Sequence, residues 1–145
     1  MADRPERLTR SAFRLFRPIP TRWMDNDVYG HVNNVVYYSL FDTAVNAHLV
    51  EAGVLDPETS PVTGLVVETA CTYFEPISFP ETVEAGIAVT ALGRSSVTYA
   101  VAIFKAGADL TAAQGRFTHV YVDRASGRPV EIPSATRAVL APLAS

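Results

Sequence analysis

The sequence predicts an α+β domain: an antiparallel sheet of about five strands laid against one long helix. Three observations carry this. A long apolar run, Val35 to Val50, follows a polar stretch and closes near Gly53, the pattern of a buried helix with a left-handed stop. From Gly64 onward the hydrophobic period falls to two, as in strands. The connections between those alternating segments are short, which favours antiparallel neighbours.

Taken in order, Met1 to Arg10 is polar and charged and reads as a poorly ordered lead-in. Phe13 to Arg22 is a first strand, which Pro18 and Pro20 confine to an edge or bend. A polar loop follows, and then the helix, roughly Asn33 to Ala52, which Asn33 or Asn34 can cap. Its apolar positions cover most of its surface, so something should wrap it. Gly53 to Thr63, with Pro57 and Pro61, is loop chemistry. Leu65 to Phe74 is rich in Val, Thr, Tyr and Phe and reads as a strand. Thr82 to Leu92 alternates with Val83, Ala85, Ile87 and Val89 on one face; Ser96 to Lys105 does so with Val97, Tyr99, Val101 and Ile103. Leu110 to Val122 is the last long strand, and Ile132 to Leu143 a final short helix.

The 145 residues suit one domain spanning 1–145 with one core. With 48% hydrophobic and 19% charged residues the chain is globular. A net charge of −3 argues against nucleic acid as a partner, since phosphate binding needs a basic face. No apolar run reaches the length of a membrane span, and the first residues lack a secretory apolar segment. Cys71 is the only cysteine, so no internal disulfide can form, and a cytoplasmic protein is the simplest reading.

The chemistry concentrates in Asp25-Asn26-Asp27-Val28-Tyr29-Gly30-His31-Val32-Asn33-Asn34, which runs into the helix. A helix start offers unpaired N–H groups and a partial positive charge. With a carboxylate beside it, such a site can hold a carbonyl oxygen on its N–H groups while the carbon is attacked or hydrated. The Asp25-x-Asp27-x-x-Gly30 spacing also opens a calcium loop, but the twelfth position would be Val36 where a glutamate is needed, and prolines stand where the preceding helix should be. His31, His48 and His119 lie on different elements without ligand spacing, so no metal is expected. A Ser-His-Asp triad is unsupported, since Gly-x-Ser-x-Gly is absent.

The stretch from Asp25 to Tyr37 resembles the signature of the hotdog-fold acyl-CoA thioesterases of the 4-hydroxybenzoyl-CoA thioesterase family, Asp-x-Asp-x-x-Gly-His-Val-Asn-Asn-x-x-Tyr, with every fixed position present. Weaker similarity extends over about Phe13 to Leu140. The resemblance implies a sheet curled around a central helix and a homodimer or dimer of dimers with sites between subunits. It implies hydrolysis of an acyl thioester with coenzyme A as part of the substrate and no other cofactor. It places the catalytic carboxylate at Asp27, acting as nucleophile or as general base; the plain alternative is an Asx-turn aspartate serving its own loop. Asp25 is as readily a structural carboxylate. Gly30 permits close approach of the substrate to the backbone. The polarising N–H is expected near Asn34, with His31 orienting Asp27 or bonding the substrate. Asn33 and Tyr37 are candidate substrate contacts. Glu68 and Thr69 lie on the strand that faces the site in relatives, often across a dimer interface. Arg94, Ser95 and Ser96 form a turn suited to the phosphates of coenzyme A. Hydrolysis of acyl-carrier-protein thioesters and non-catalytic acyl-CoA binding are the alternatives.

Overall fold

A computed structural model describes residues 4–144. Strand β1 covers Leu15–Pro20, helix α1 Val36–Glu51, β2 Val62–Tyr73, β3 Thr82–Leu92, β4 Ser96–Lys105, β5 Ala113–Asp123 and helix α2 Ser134–Leu140. The five strands form one sheet in the order β1-β3-β4-β5-β2, antiparallel throughout. A short helical turn, Ala141–Leu143, extends α2 and buries Leu143 beside Leu140.

α1 forms because its buried residues recur at helical spacing: Tyr37, Leu40, Phe41, Ala44, Val45 and Leu49. They pack on the inward residues of β3 and β4 named from the alternation, and on Phe117 and Tyr121 of β5. Each large apolar side chain so buried contributes roughly 1.5–3 kcal/mol. The helix ends in a full Schellman arrangement. Gly53 sits at φ +79, the Val54 N–H donates to the Leu49 carbonyl at 3.1 Å, and the Gly53 N–H donates to the Val50 carbonyl at 3.0 Å. Its start comes later than the apolar run suggests: Asn33 and Asn34 remain in the preceding turn, and the Asn33 Oδ1 accepts the Val35 N–H at 3.2 Å. The sheet covers one side of the helix. The other side, with Tyr38, Ser39, Asp42 and Thr43, is open in the single chain.

Of the lead-in expected over 1–10, residues 1–3 lie outside the described residues. Residues 4–10 lie along the sheet and are bonded to it. The Thr111 N–H donates to the Leu8 carbonyl at 3.1 Å, and Gln114 accepts from the Leu8 N–H at 2.9 Å while donating to the Glu6 carbonyl at 2.7 Å. Phe13 then packs on Phe104 at 5.7 Å in a second apolar cluster, with Ala88 and Ala102. β5 accordingly begins at Ala113 and not at Leu110, which bridges to Thr9.

Among the described residues six of the buried ones are polar, and His119 is the one enclosed by aromatic rings. His119 is 1% exposed, ringed by Phe117, Tyr99 and Tyr121 at 4.9, 5.9 and 6.3 Å, and its Nδ1 has no partner among the described residues. Burial pushes its pKa down to about 4, with Asp42 acting weakly the other way. The folded protein therefore holds it neutral, while the unfolded chain takes up a proton near the ordinary value of 6.5. Stability from this group is present above that value and is lost as pH falls toward 4, by about 3 kcal/mol in total. His48, lowered by its own burial, adds in the same direction. Urea denaturation between pH 7 and 4.5 should show this decline, and His119→Phe should flatten most of it; an unchanged slope in the variant would contradict the assignment.

Candidate active site

The loop between β1 and α1 is sewn to the chain before β3 by its own polar residues. Asp25 is 2% exposed. Its carboxylate accepts the Arg22 N–H at 2.7 Å and the Arg22 guanidinium at 2.8 and 3.0 Å, and its carbonyl accepts the Asn33 N–H at 2.8 Å. Asp25 is thus a structural peg. Asn26 Oδ1 accepts the Phe79 N–H at 3.0 Å, the Val32 N–H donates to the Ile77 carbonyl at 2.7 Å, and Ser78 Oγ donates to the Gly30 carbonyl at 2.7 Å.

Between these anchors Asp27 turns the chain. Its Oδ1 accepts the Tyr29 N–H at 2.9 Å, the Asx turn that was the plain alternative for this residue. Its carbonyl accepts the Gly30 N–H at 3.1 Å and its own N–H donates to the His31 carbonyl at 2.9 Å. Gly30 has φ +81, and no atom stands within 4 Å of where a Cβ would be. The turn engages one carboxylate oxygen; the other has no partner among the described residues. At the helix start the Val36 and Tyr37 N–H groups close onto the Asn33 and Asn34 carbonyls, and the Asn34 N–H is left without a partner among the described residues.

Asp27 lies between two cavities. One, of about 600 Å³, is lined by His31, Val32, Asn33, Asn34 and Tyr37 on one side and by Tyr73, Phe74, Glu75 and Pro76 on the other. The second, of about 310 Å³, is bounded by Trp23, Asn26, Val28 and Gly30. Tyr37 is 3% exposed and meets Tyr73 edge-on at 5.0 Å; burial pushes its hydroxyl up to about 12, so it stays protonated. The Tyr73 hydroxyl donates to the Asn34 carbonyl at 2.9 Å and so steadies the helix start. Burial raises the Cys71 thiol to about 11, which leaves it protonated and a poor nucleophile. A carboxylate oxygen, a free N–H and space on both sides suit attack on a carbonyl that carries two substituents.

Asp27, Gly30, His31, Asn33, Asn34 and Tyr37 are therefore brought together. Others are not. Glu68 points to the outer face of the sheet, opposite the helix, and pairs there with Arg116 at 2.7 Å. Thr69 faces inward but lines a separate cleft with Tyr38, Asp42 and Phe117. Arg94, Ser95 and Ser96 sit at the far end of β3, an 11-residue strand, hence on the order of 30 Å from the Asp27 end. There the Arg94 and Ser95 carbonyls accept the Ile132 and Tyr121 N–H groups at 2.9 and 2.7 Å. Sequence reasoning passed over Asn26, Tyr73 and Ser78 as anchors; their polar groups alone gave no signal, because each partner lies on another segment of the chain.

A five-stranded antiparallel sheet packed on one long helix, with a carboxylate turn at the helix start, defines the hotdog class. The chain belongs to the thioesterase-like superfamily, whose family model matches residues 21–140. It is similar to the PA5185 protein from Pseudomonas aeruginosa strain PAO1, at 52% identity and TM-score 0.94 over 97% of this chain and 98% of that one. The fold is shared with Slr0204, a 1,4-dihydroxy-2-naphthoyl-CoA thioesterase from Synechocystis, at 12% identity and TM-score 0.79 over 87% and 94%. It is also similar to YsmA of Bacillus subtilis, 23% identical over 96 residues; the match spans 66% of this chain and 65% of that relative's length. No helix among the described residues is long and apolar enough to cross a membrane.

Proposed function

We propose that this chain hydrolyses acyl-coenzyme A thioesters to the free acid and the thiol, with coenzyme A as part of the substrate and no other cofactor. The thioester oxygen accepts the Asn34 N–H at the positive end of α1, a donor worth ~3 kcal/mol of barrier. Asp27 presents its unengaged oxygen to the carbonyl carbon, or presents a water that it deprotonates. The C–S bond breaks and the thiolate leaves, taking up a proton that the water supplies; where Asp27 itself attacks, water then hydrolyses the resulting mixed anhydride, which releases the acid and restores the carboxylate. His31, exposed beside the larger cavity, contacts the substrate. The open space over Gly30 lets the substrate reach the backbone. The observation that carries this reading is that the second Asp27 oxygen and the Asn34 N–H, both without a partner among the described residues, belong to residues lining the same cavity.

Thiol release from a panel of short, long and aromatic acyl-CoAs, with acyl-carrier-protein thioesters alongside, tests it. Turnover of the coenzyme A thioesters is expected. Turnover of carrier-bound thioesters alone would move the substrate to the carrier, and binding without turnover would make the protein a carrier of acyl-CoA.

The working unit in this reading is a homodimer in the cytoplasm, with a dimer of dimers as its larger form. Support comes from β2, an edge strand whose outer side has no neighbour among the described residues and which exposes Leu65, Val66 and Val67, 60% in the last case. Antiparallel pairing of β2 with its copy would bring the partner's 93–96 turn toward this chain's Asp27, where Arg94, Ser95 and Ser96 could meet phosphates. Light scattering should read twice the chain's 15.7 kDa, and Val66→Lys should return it to the monomer mass; a wild-type monomer would count against the dimer.

A further inference from the structure

The wall of the larger cavity opposite Asn34 is made by residues 73–76, and on its other side it meets the N-terminal segment. Arginines stand there at every third position: Arg4, Arg7 and Arg10. Arg4 donates to the Tyr73 carbonyl and lies over the Phe74 ring at 4.7 Å. Arg7 donates through Nε to the Thr111 carbonyl at 2.7 Å, pairs through Nη2 with Glu75 at 2.5 Å, and reaches the Phe74 ring at 5.8 Å. Arg10 is fixed by Glu84 at 2.7 Å and by the Phe104 ring at 4.8 Å. Lys105 pairs with the other Glu75 oxygen at 3.3 Å. Phe74 and Glu75 thus touch the arginines and also line the cavity that holds Asp27.

We propose that residues 4–10 are a positioning strap for the substrate cavity, with Arg7 holding Glu75 and Phe74, and through them the wall that faces Asn34. The inference rests on the thioesterase reading for its consequence in catalysis. The connection continues past the wall: Tyr73, held at its carbonyl by Arg4, grips the Asn34 carbonyl with its hydroxyl at 2.9 Å. The strap is therefore two contacts from the N–H proposed to polarise the thioester. Arg suits the task where Lys does not, since one planar fork serves a carbonyl, a carboxylate and a ring together. The hydrogen bonds from Arg7 and then from Lys105 hold the Glu75 carboxyl below its usual range, so it stays ionised at neutral pH.

The test uses the full chain and two readouts, steady-state kinetics and amide hydrogen exchange over residues 73–76. In the wild type the Phe74 and Glu75 N–H groups both donate to the Ala112 carbonyl, at 2.9 and 3.1 Å, and should be protected. Arg7→Gln is expected to raise KM about tenfold while kcat changes less than about twofold, because the wall is displaced and Asp27 is not. Exchange at 73–76 should quicken. Arg7→Lys should restore only part of the KM, and the double variant with Glu75→Gln should be no worse than Arg7→Gln, the signature of a coupled pair. Unchanged KM in Arg7→Gln, with or without faster exchange, overturns the proposal. If the wild type turns over no thioester, the thioesterase reading falls; faster exchange at 73–76 would then still support the strap and unaltered exchange would overturn it.

Discussion

Asp27→Asn is expected to abolish most turnover while leaving the fold intact. The two side chains have the same shape, and the asparagine carbonyl can still accept the Tyr29 N–H that Asp27 Oδ1 accepts at 2.9 Å. The turn through Gly30 is therefore kept, and stability should change by less than about 0.5 kcal/mol. What is lost is the charge and the basic oxygen that faces the cavity. Removing a nucleophile or general base lowers kcat by roughly 10²–10⁴-fold, about 3–5 kcal/mol of barrier. KM should move little, because the cavity walls do not depend on the charge. Parallel measurement of thiol release and thermal midpoint separates the two effects. A variant that keeps more than about a tenth of wild-type turnover would remove Asp27 from the mechanism. Asp27→Ala makes a useful companion, since it loses the turn bond as well and should fall in stability where the asparagine does not.

The parts of the fold that were legible are those whose signal is local. β3 and β4 begin and end at the residues that alternation and turn chemistry indicate, because Gly93-Arg94-Ser95 and Ala106-Gly107 interrupt the alternating segments. The stop of α1 at Gly53 follows from a local backbone requirement. What was not legible depends on distant partners. The arginines of 4–10 read as part of a poorly ordered lead-in because their partners, Glu75, Glu84 and Thr111, are 68 or more positions away. β1 is shorter than expected, Leu15–Pro20 against Phe13 to Arg22, because Phe13 packs on the outer face of the sheet and Arg22 binds Asp25. The face of Glu68 could not be read from alternation at all: a bulge between Val66 and Glu68 resets the period, so that Thr69 turns inward and Glu68 outward. In the site the motif identified the residues that meet at the helix start. It was silent on the 73–76 wall, whose place comes from β2 ending beside α1.

The largest effect on stability is expected from a residue that carries no chemistry. Gly115 on β5 pairs with Cys71 on β2, and a Cβ placed there would stand 1.7 Å from the Ala70 carbonyl oxygen and 2.8 Å from its carbon. Both are backbone atoms, so no rotamer change can relieve the overlap; β2 and β5 must separate. Their ladder, from Val62 opposite Asp123 to Tyr73 opposite Ala113, holds the edge strand to the domain. Gly115→Ala should therefore cost at least about 4 kcal/mol, which lowers the thermal midpoint of a chain this size by about 10–15 °C. Gly93→Ala is the control: its nearest contact is the Ser96 hydroxyl at 3.3 Å, which can rotate, and it should cost less than about 1 kcal/mol. Gly115→Ala should also lose activity below its melting point. Tyr73 ends the same strand and holds the Asn34 carbonyl, so a displaced β2 pulls on the helix start that Asp27 works beside. A Gly115→Ala protein that melts within about 2 °C of wild type would mean that β2 and β5 stand further apart than described and that the ladder tolerates a side chain there.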